Sequence, residues 1–168
     1  KEFTLVEVPA MQFLMVDGEG DPNSAQAYQE ALETLYAVAY KIKFTSKNDL
    51  GQDYAVLPLE GLWWADDMDT FTNSLDKSQW QWTMMVMQPD WITTSLFAEA
   101  CATVKKQKDL VALPNLHLKT YAEGLSVQIL HLGSYADEAP TLHKLHHEFM
   151  PANSFTFNGK HHEIYLSD

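Results

Sequence analysis

All five tryptophans of this 168-residue chain fall in one segment, between Pro58 and Trp91. The segment opens Pro58-Leu59-Glu60-Gly61-Leu62-Trp63-Trp64 and closes on Trp80, Trp82 and Trp91 around three methionines. Tryptophan brings a large apolar area, one polar N–H and an electron-rich ring face. Two structures satisfy such a segment. One is a Trp-rich core between two strands, and the other is the wall of an aromatic pocket for a flat or cationic small molecule. In Gln79–Met87, Trp80, Trp82, Met84 and Val86 alternate with Gln81, Thr83, Met85 and Met87. That period of two makes this the clearest strand in the chain.

The rest of the sequence supplies alternating strands and helices. Met11–Val16 reads as a strand, followed by dense turn chemistry in Asp17-Gly18-Glu19-Gly20-Asp21-Pro22-Asn23. A helix is expected next, capped by Asn23 with Gln26 three residues on, and ending near Lys43 or Phe44. Tyr28, Ala31, Leu32, Leu35, Tyr36, Ala39 and Ile42 form its apolar stripe. Thr45–Gln52 reads as a loop, Asp53–Leu59 as a strand and Asp66–Lys77 as a polar loop. A second helix starts near Thr93 or Thr94 and ends in Lys105, Lys106 and Lys108, where cations suit the helix dipole. Leu116–Tyr121 and Leu125–Leu132 read as strands. Asp137 caps a third helix that stops at Met150-Pro151, and His161–Leu166 is a closing strand. The order predicts an α+β protein built from a duplicated strand-helix-strand-strand module, about 1–89 and 90–168, forming a single domain.

A net charge of −12 speaks against nucleic-acid binding, which requires a basic face, and against anionic membrane surfaces. No apolar run reaches transmembrane length and no signal peptide is visible, so a cytoplasmic protein is expected. The chain begins at Lys1, as a trimmed fragment would. The single cysteine, Cys101, excludes an intrachain disulfide. His143 and His147 share a helix face at i, i+4, but zinc would need a third ligand, such as His161 or a carboxylate, and the His-Glu-x-x-His motif is absent. No metal or cofactor is expected.

The closing strand carries the most chemistry. His162, Ile164 and Leu166 point one way, and His161, Glu163 and Tyr165 the other. If the Ile164/Leu166 face packs under the helices, Glu163 and Tyr165 look into a groove. A carboxylate among aromatics in a desolvated groove should have its pKa raised, and can then neutralise a cation or act as a general base on water with Tyr165 as hydrogen-bond donor. It can also be an exposed strand glutamate. Glu60 has two roles open to it, ligand contact or partner to buried backbone N–H groups. Tyr36 and Tyr40, four apart, form either a helix rim or hydroxyl donors over a pocket.

Six ordered motifs span nearly the whole chain. They are Val16-Asp17-Gly18-Glu19-Gly20-Asp21-Pro22-Asn23, Leu35-Tyr36-Ala37-Val38-Ala39-Tyr40-Lys41-Ile42-Lys43-Phe44, Pro58–Trp64, Met87-Gln88-Pro89-Asp90, Gln128–Tyr135 and His162–Asp168. Together they resemble the GyrI-like small-molecule-binding proteins, in the stand-alone branch that contains cyclopropanoid cyclopropyl hydrolases. The resemblance implies paired modules with a ligand groove between them and a key glutamate on the last strand, here Glu163. It implies water addition to the strained cyclopropane of DNA-alkylating natural products, a detoxification. The groove expected is lined by Tyr36, Tyr40, Glu60, Trp63, Trp64 and Trp82, with Glu163 and Tyr165 as the catalytic pair. The rival is a sensor or sequestering domain that binds hydrophobic or cationic aromatic compounds, multidrug fashion, without turnover. A monomer or weak dimer is expected.

Overall fold

The computed structural model describes residues 2–68 and 77–167. Seven strands lie in two antiparallel sheets. β1 (Thr4–Val8) pairs with β6 (Gly124–Gln128) in a small two-stranded sheet. The main sheet contains β2 (Met11–Glu19), β3 (Leu59–Trp64), β4 (Gln81–Gln88), β5 (His117–Tyr121) and β7 (His161–Ile164), in the order β5-β2-β4-β3-β7. Among the described residues β7 is thus an edge strand, paired with β3. The helices are α1 (Gln26–Asp49), α2 (Thr94–Gln107) and α3 (Ala139–Lys144). α3 runs on through a π-helical turn, Leu145–Phe149, and a last helical turn, Met150–Ala152. The Met150 N–H reaches the Leu145 carbonyl five residues back. The widened turn comes just before Pro151, which has no N–H to donate and whose ring crowds the preceding turn.

One face of the main sheet carries the principal core. Leu14, Val16, Trp63, Trp82, Met84 and Val86 meet Ala31, Leu35, Val38, Ala39 and Ile42 of α1 and Leu96, Ala100 and Val104 of α2. The opposite face carries a smaller cluster, Phe13, Met15, Leu62 and Met85, with Met11, Trp64, Met87 and Tyr121 against it. The period-two pattern of β4 predicted this division, because its Trp82/Met84/Val86 side and its Met85 side end on different faces.

Several boundaries differ from expectation. α1 opens after Ala25, with no side-chain cap, because the Asn23 backbone N–H and Nδ2 both donate to Asp21 Oδ1 at 2.9 and 3.1 Å. At its other end the helix continues to Asp49. Ser46, fully buried, donates to the Gln52 carbonyl at 2.7 Å and accepts from Trp91 Nε1 at 2.9 Å, so a polar-looking segment stays helical. Residues 53–58 are irregular rather than a strand. Lys43 holds Asp53 at 2.6 Å, Tyr54 N–H bonds the same carboxylate, and Pro58 cannot donate to a ladder. β6 stops at Gln128, where its partner β1 runs out at Thr4. Thr93 caps α2 as expected, accepting from the Leu96 N–H at 3.1 Å. Asp137 instead accepts from Ser134 Oγ at 2.8 Å, and α3 has no side-chain cap. The loop expected over Asp66–Lys77 lies mostly outside the described residues.

The chain is an α+β protein. We propose the division into modules of about 1–89 and 90–168. The first reads β2-α1-β3-β4, and β6-α3-β7 repeats its strand-helix-strand opening.

Candidate functional site

The site is built on the β3–β7 ladder. Gly61 lies opposite Glu163 and Trp63 opposite His161, so these four share the helix-side face of the sheet. This corrects the expectation that the Ile164/Leu166 face would be the packed one. Ile164 and Leu166 are exposed, whereas Tyr165 packs against the principal core. The reason is β3: its Trp63 side faces α1, and antiparallel pairing puts Glu163 on that same side.

Glycine at 61 makes the site possible. A Cβ there would stand 2.7 Å from Trp63 Nε1 and 3.1 Å from the Tyr165 hydroxyl. The space it leaves holds a chain of hydrogen bonds. Trp63 Nε1 donates to the Tyr165 hydroxyl at 3.0 Å, and that hydroxyl donates to Glu163 Oε1 at 3.0 Å. His161 Nε2 stands 3.4 Å from Glu163 Oε2. Glu138, at the end of a 3-10 turn (Tyr135–Glu138), hydrogen-bonds Glu163 from the other side.

Two carboxyl groups in contact cannot both stay ionised at low cost, so the pair divides its roles. Burial, then the Glu163 hydrogen bond and charge, pushes Glu138 up to about 8, which keeps it protonated at neutral pH. Burial opposes charge on Glu163, but hydrogen bonds from His161, Glu138 and Tyr165 outweigh it and hold this carboxyl well below the usual range, which overturns the rise expected from its desolvated aromatic surroundings. Burial and the Glu163 charge raise Tyr165, which stays a neutral donor. The result is one fixed anion under aromatic rings. Tyr135 meets Tyr165 edge-on at 6.2 Å, Tyr28 lies 6.2 Å from Trp63, and Trp80 meets Trp63 edge-on at 5.9 Å.

The residues expected to line one groove separate. Trp63, Glu163 and Tyr165 come together. Trp82 is wholly buried, with Tyr28 against its ring edge at 5.6 Å. Trp64 lies on the opposite sheet face, with Lys160 Nζ 3.6 Å above its ring. Tyr36 and Tyr40 are partly exposed on α1 and line a shallow cleft with Gln107 and Lys108 at the end of α2. Glu60 is buried on the far face, where it bonds His162 Nε2 at 2.8 Å. Tyr28, Trp80, Tyr135, Glu138 and His161 complete the site; from sequence Trp80 was read only within the aromatic segment and His161 only as a possible zinc ligand, and the other three were not assigned to it. Tyr28 and Trp80 were legible only as apolar stripe positions. Glu138 carried no signal, since it stands in a turn beside a stronger-looking cap.

Glu138, His161 and Glu163 each bring a ligand atom within 4.8 Å of one another, the one such three-donor group among the described residues. They could hold a divalent cation. The His143 and His147 rings lie 4.7 Å apart, tilted by 39°, and His146 packs against Phe157.

The model of the GyrI-like small-molecule-binding domain matches residues 1–168. The chain belongs to the GyrI-like family. Solved members of similar fold come from Listeria innocua. An uncharacterized conserved protein superposes with a TM-score of 0.87 at 36% identity, covering 99% of this chain and 83% of its own. A hydrolase superposes at 0.82 with 35% identity, covering 100% and 87%. Another hydrolase structure gives 0.82 at 36%, covering 99% and 83%. No curated protein matches the chain. The GyrI-like assignment makes this a small-molecule-binding protein, and it has no helix among the described residues long and apolar enough to cross a membrane.

Proposed function

We propose that this protein hydrolyses the electrophilic cyclopropane of DNA-alkylating natural products by adding water, as a cytoplasmic detoxifying enzyme. The observation that carries the proposal is the ionised, largely buried Glu163 carboxylate, oriented by Tyr165 and walled by Trp63, Tyr28 and Tyr135. Such a substrate is a flat spirocyclopropyl cyclohexadienone, which the rings hold by stacking. Glu163 accepts a proton from water as its oxygen attacks the cyclopropane methylene. The strained carbon–carbon bond breaks, and its electron pair passes through the ring to the carbonyl oxygen, which ends as a phenol after taking up a proton. A hydroxyl or indole N–H of the wall stabilises the oxyanion as it develops. The hydrolase relatives support an enzymatic reading.

The test is mass spectrometry after incubation with a spirocyclopropyl cyclohexadienone. Catalytic gain of one water by the wild type, lost about a hundredfold or more in Glu163→Gln with affinity kept, supports the proposal. Binding without conversion supports the second reading, a sequestering or sensor-type domain. The feature favouring that reading is the same anion beneath ring faces, which suits a cationic aromatic compound.

A further inference from the structure

Glu163 sits on a strand that is poorly secured by its own backbone. Among the described residues, β7 is four residues long, lies at the sheet edge and pairs only with β3. Just past its end, the Tyr165 N–H bonds the Leu59 carbonyl at 3.0 Å. Short edge strands fray readily, and a fraying β7 would move the reacting carboxylate with it.

The far face of the same strand holds a clamp. His162 is 13% exposed and bonded through both ring nitrogens. Nε2 lies 2.8 Å from Glu60 Oε1 on β3, and Nδ1 lies 3.0 Å from both carboxylate oxygens of Glu123, in the turn between β5 and β6. Ionised carboxylates only accept hydrogen bonds, so both nitrogens must donate and the ring must be an imidazolium. The ion triad therefore ties β7 to its neighbour strand and to the opposite end of the molecule's strand order. Alternation places it one residue from Glu163 and on the other side of the sheet.

We propose that His162 is a positioning residue: clamped between Glu60 and Glu123, it fixes the register and tilt of β7 and so sets where the Glu163 carboxylate and Tyr165 hydroxyl stand in the groove. For turnover this rests on the hydrolase reading above. For geometry it does not.

Two readouts keep these apart in the intact protein, compared for wild type, His162→Gln, His162→Lys and Glu123→Gln. The first is the indole N–H resonance of Trp63 by NMR, assigned with Trp63→Phe, because Trp63 Nε1 bonds Tyr165 across the sheet from His162. The second is kcat and KM for a spirocyclopropyl cyclohexadienone. His162→Gln should shift the Trp63 resonance in the folded protein and lower kcat at least about tenfold, with KM changed much less, because small misplacements of a reacting group are costly. His162→Lys keeps a cation between the carboxylates and should restore both readouts in large part. Glu123→Gln, a milder change, should move both readouts in the direction of His162→Gln. A His162→Gln protein that is folded, with lowered Tm but unmoved Trp63 resonance and unchanged kcat, overturns the proposal. A wild type with no turnover but with the Trp63 shift in the variants removes the hydrolase reading and leaves the positioning role standing.

Discussion

Gly61 faces Glu163 directly across the β3–β7 ladder, and the volume a side chain at 61 would fill is occupied by the Trp63–Tyr165 hydrogen bond. The hydrogen-bond chain to Glu163 thus depends on an absent Cβ. Gly61→Ala should break that bond, because a Cβ 2.7 Å from Trp63 Nε1 forces the indole away. The expected outcome is a stability loss of about 1–3 kcal/mol by urea titration. Turnover should fall at least about tenfold as Glu163 loses its oriented donor.

Trp63 and Trp82 should respond differently to substitution by phenylalanine, although they lie side by side in the register. Trp82 is buried in the core, and its Nε1 has no hydrogen-bond partner among the described residues. Trp82→Phe should lower stability through lost packing, by about 1–3 kcal/mol, and leave ligand affinity of the folded protein within a few-fold. Trp63→Phe should weaken ligand binding and turnover more than it lowers Tm, since its N–H anchors Tyr165. Equal effects of both on affinity would contradict the separation of core from groove.

Glu138 should make the protein less stable in alkali. Its folded pKa of about 8 lies above the ordinary 4.5, so the folded state binds its proton more tightly than the unfolded state. That contribution is complete below about 4.5 and is lost as pH rises through about 8. His162 acts in the same sense. Burial opposes its charge, but the hydrogen bonds to Glu123 and Glu60 raise it from 6.5 to about 9. Its contribution is complete below about 6.5 and lost as pH rises through about 9. Urea denaturation from pH 5 to 9 should therefore show falling stability. Glu138→Gln, which keeps a donor to Glu163 without an ionisable proton, should flatten the part of the slope nearest neutrality. An unchanged slope would show that the carboxyl pair does not share a proton.

Chelation should leave hydrolysis unaltered. Glu138, His161 and Glu163 are close enough for a metal, but the proton on Glu138 and the Tyr165 hydroxyl both hydrogen-bond the Glu163 carboxylate. Activity measured after exhaustive dialysis against EDTA, and again with added zinc, should match the untreated protein. Loss on chelation and recovery with zinc would assign the three donors to a metal.

The alternation of β4 and of His161–Leu166 was enough to sort residues onto two faces, because side-chain direction in a strand is local and has period two. That is why Glu163 and Tyr165 could be paired from sequence and set apart from Ile164 and Leu166. The α1 stripe was legible for the same reason at helical period. Which strand face would be packed was not local. It followed from β7 joining β3, whose Trp63 side was already committed to α1. Helix ends were misplaced where a long-range partner decided them, as Trp91 does for Ser46.

The sequence by itself determined the α+β element order, the aromatic segment and the strand that carries Glu163, since each rests on spacing along the chain. Tertiary structure alone decided which aromatics share that carboxylate's space. It buried Trp82, sent Trp64 and Glu60 to the far face, and brought Glu138 from a turn and Tyr28 from α1 close to Glu163. Contacts between residues so distant in sequence depend on strand order and register, and those are set by the packing of whole elements rather than by any short pattern.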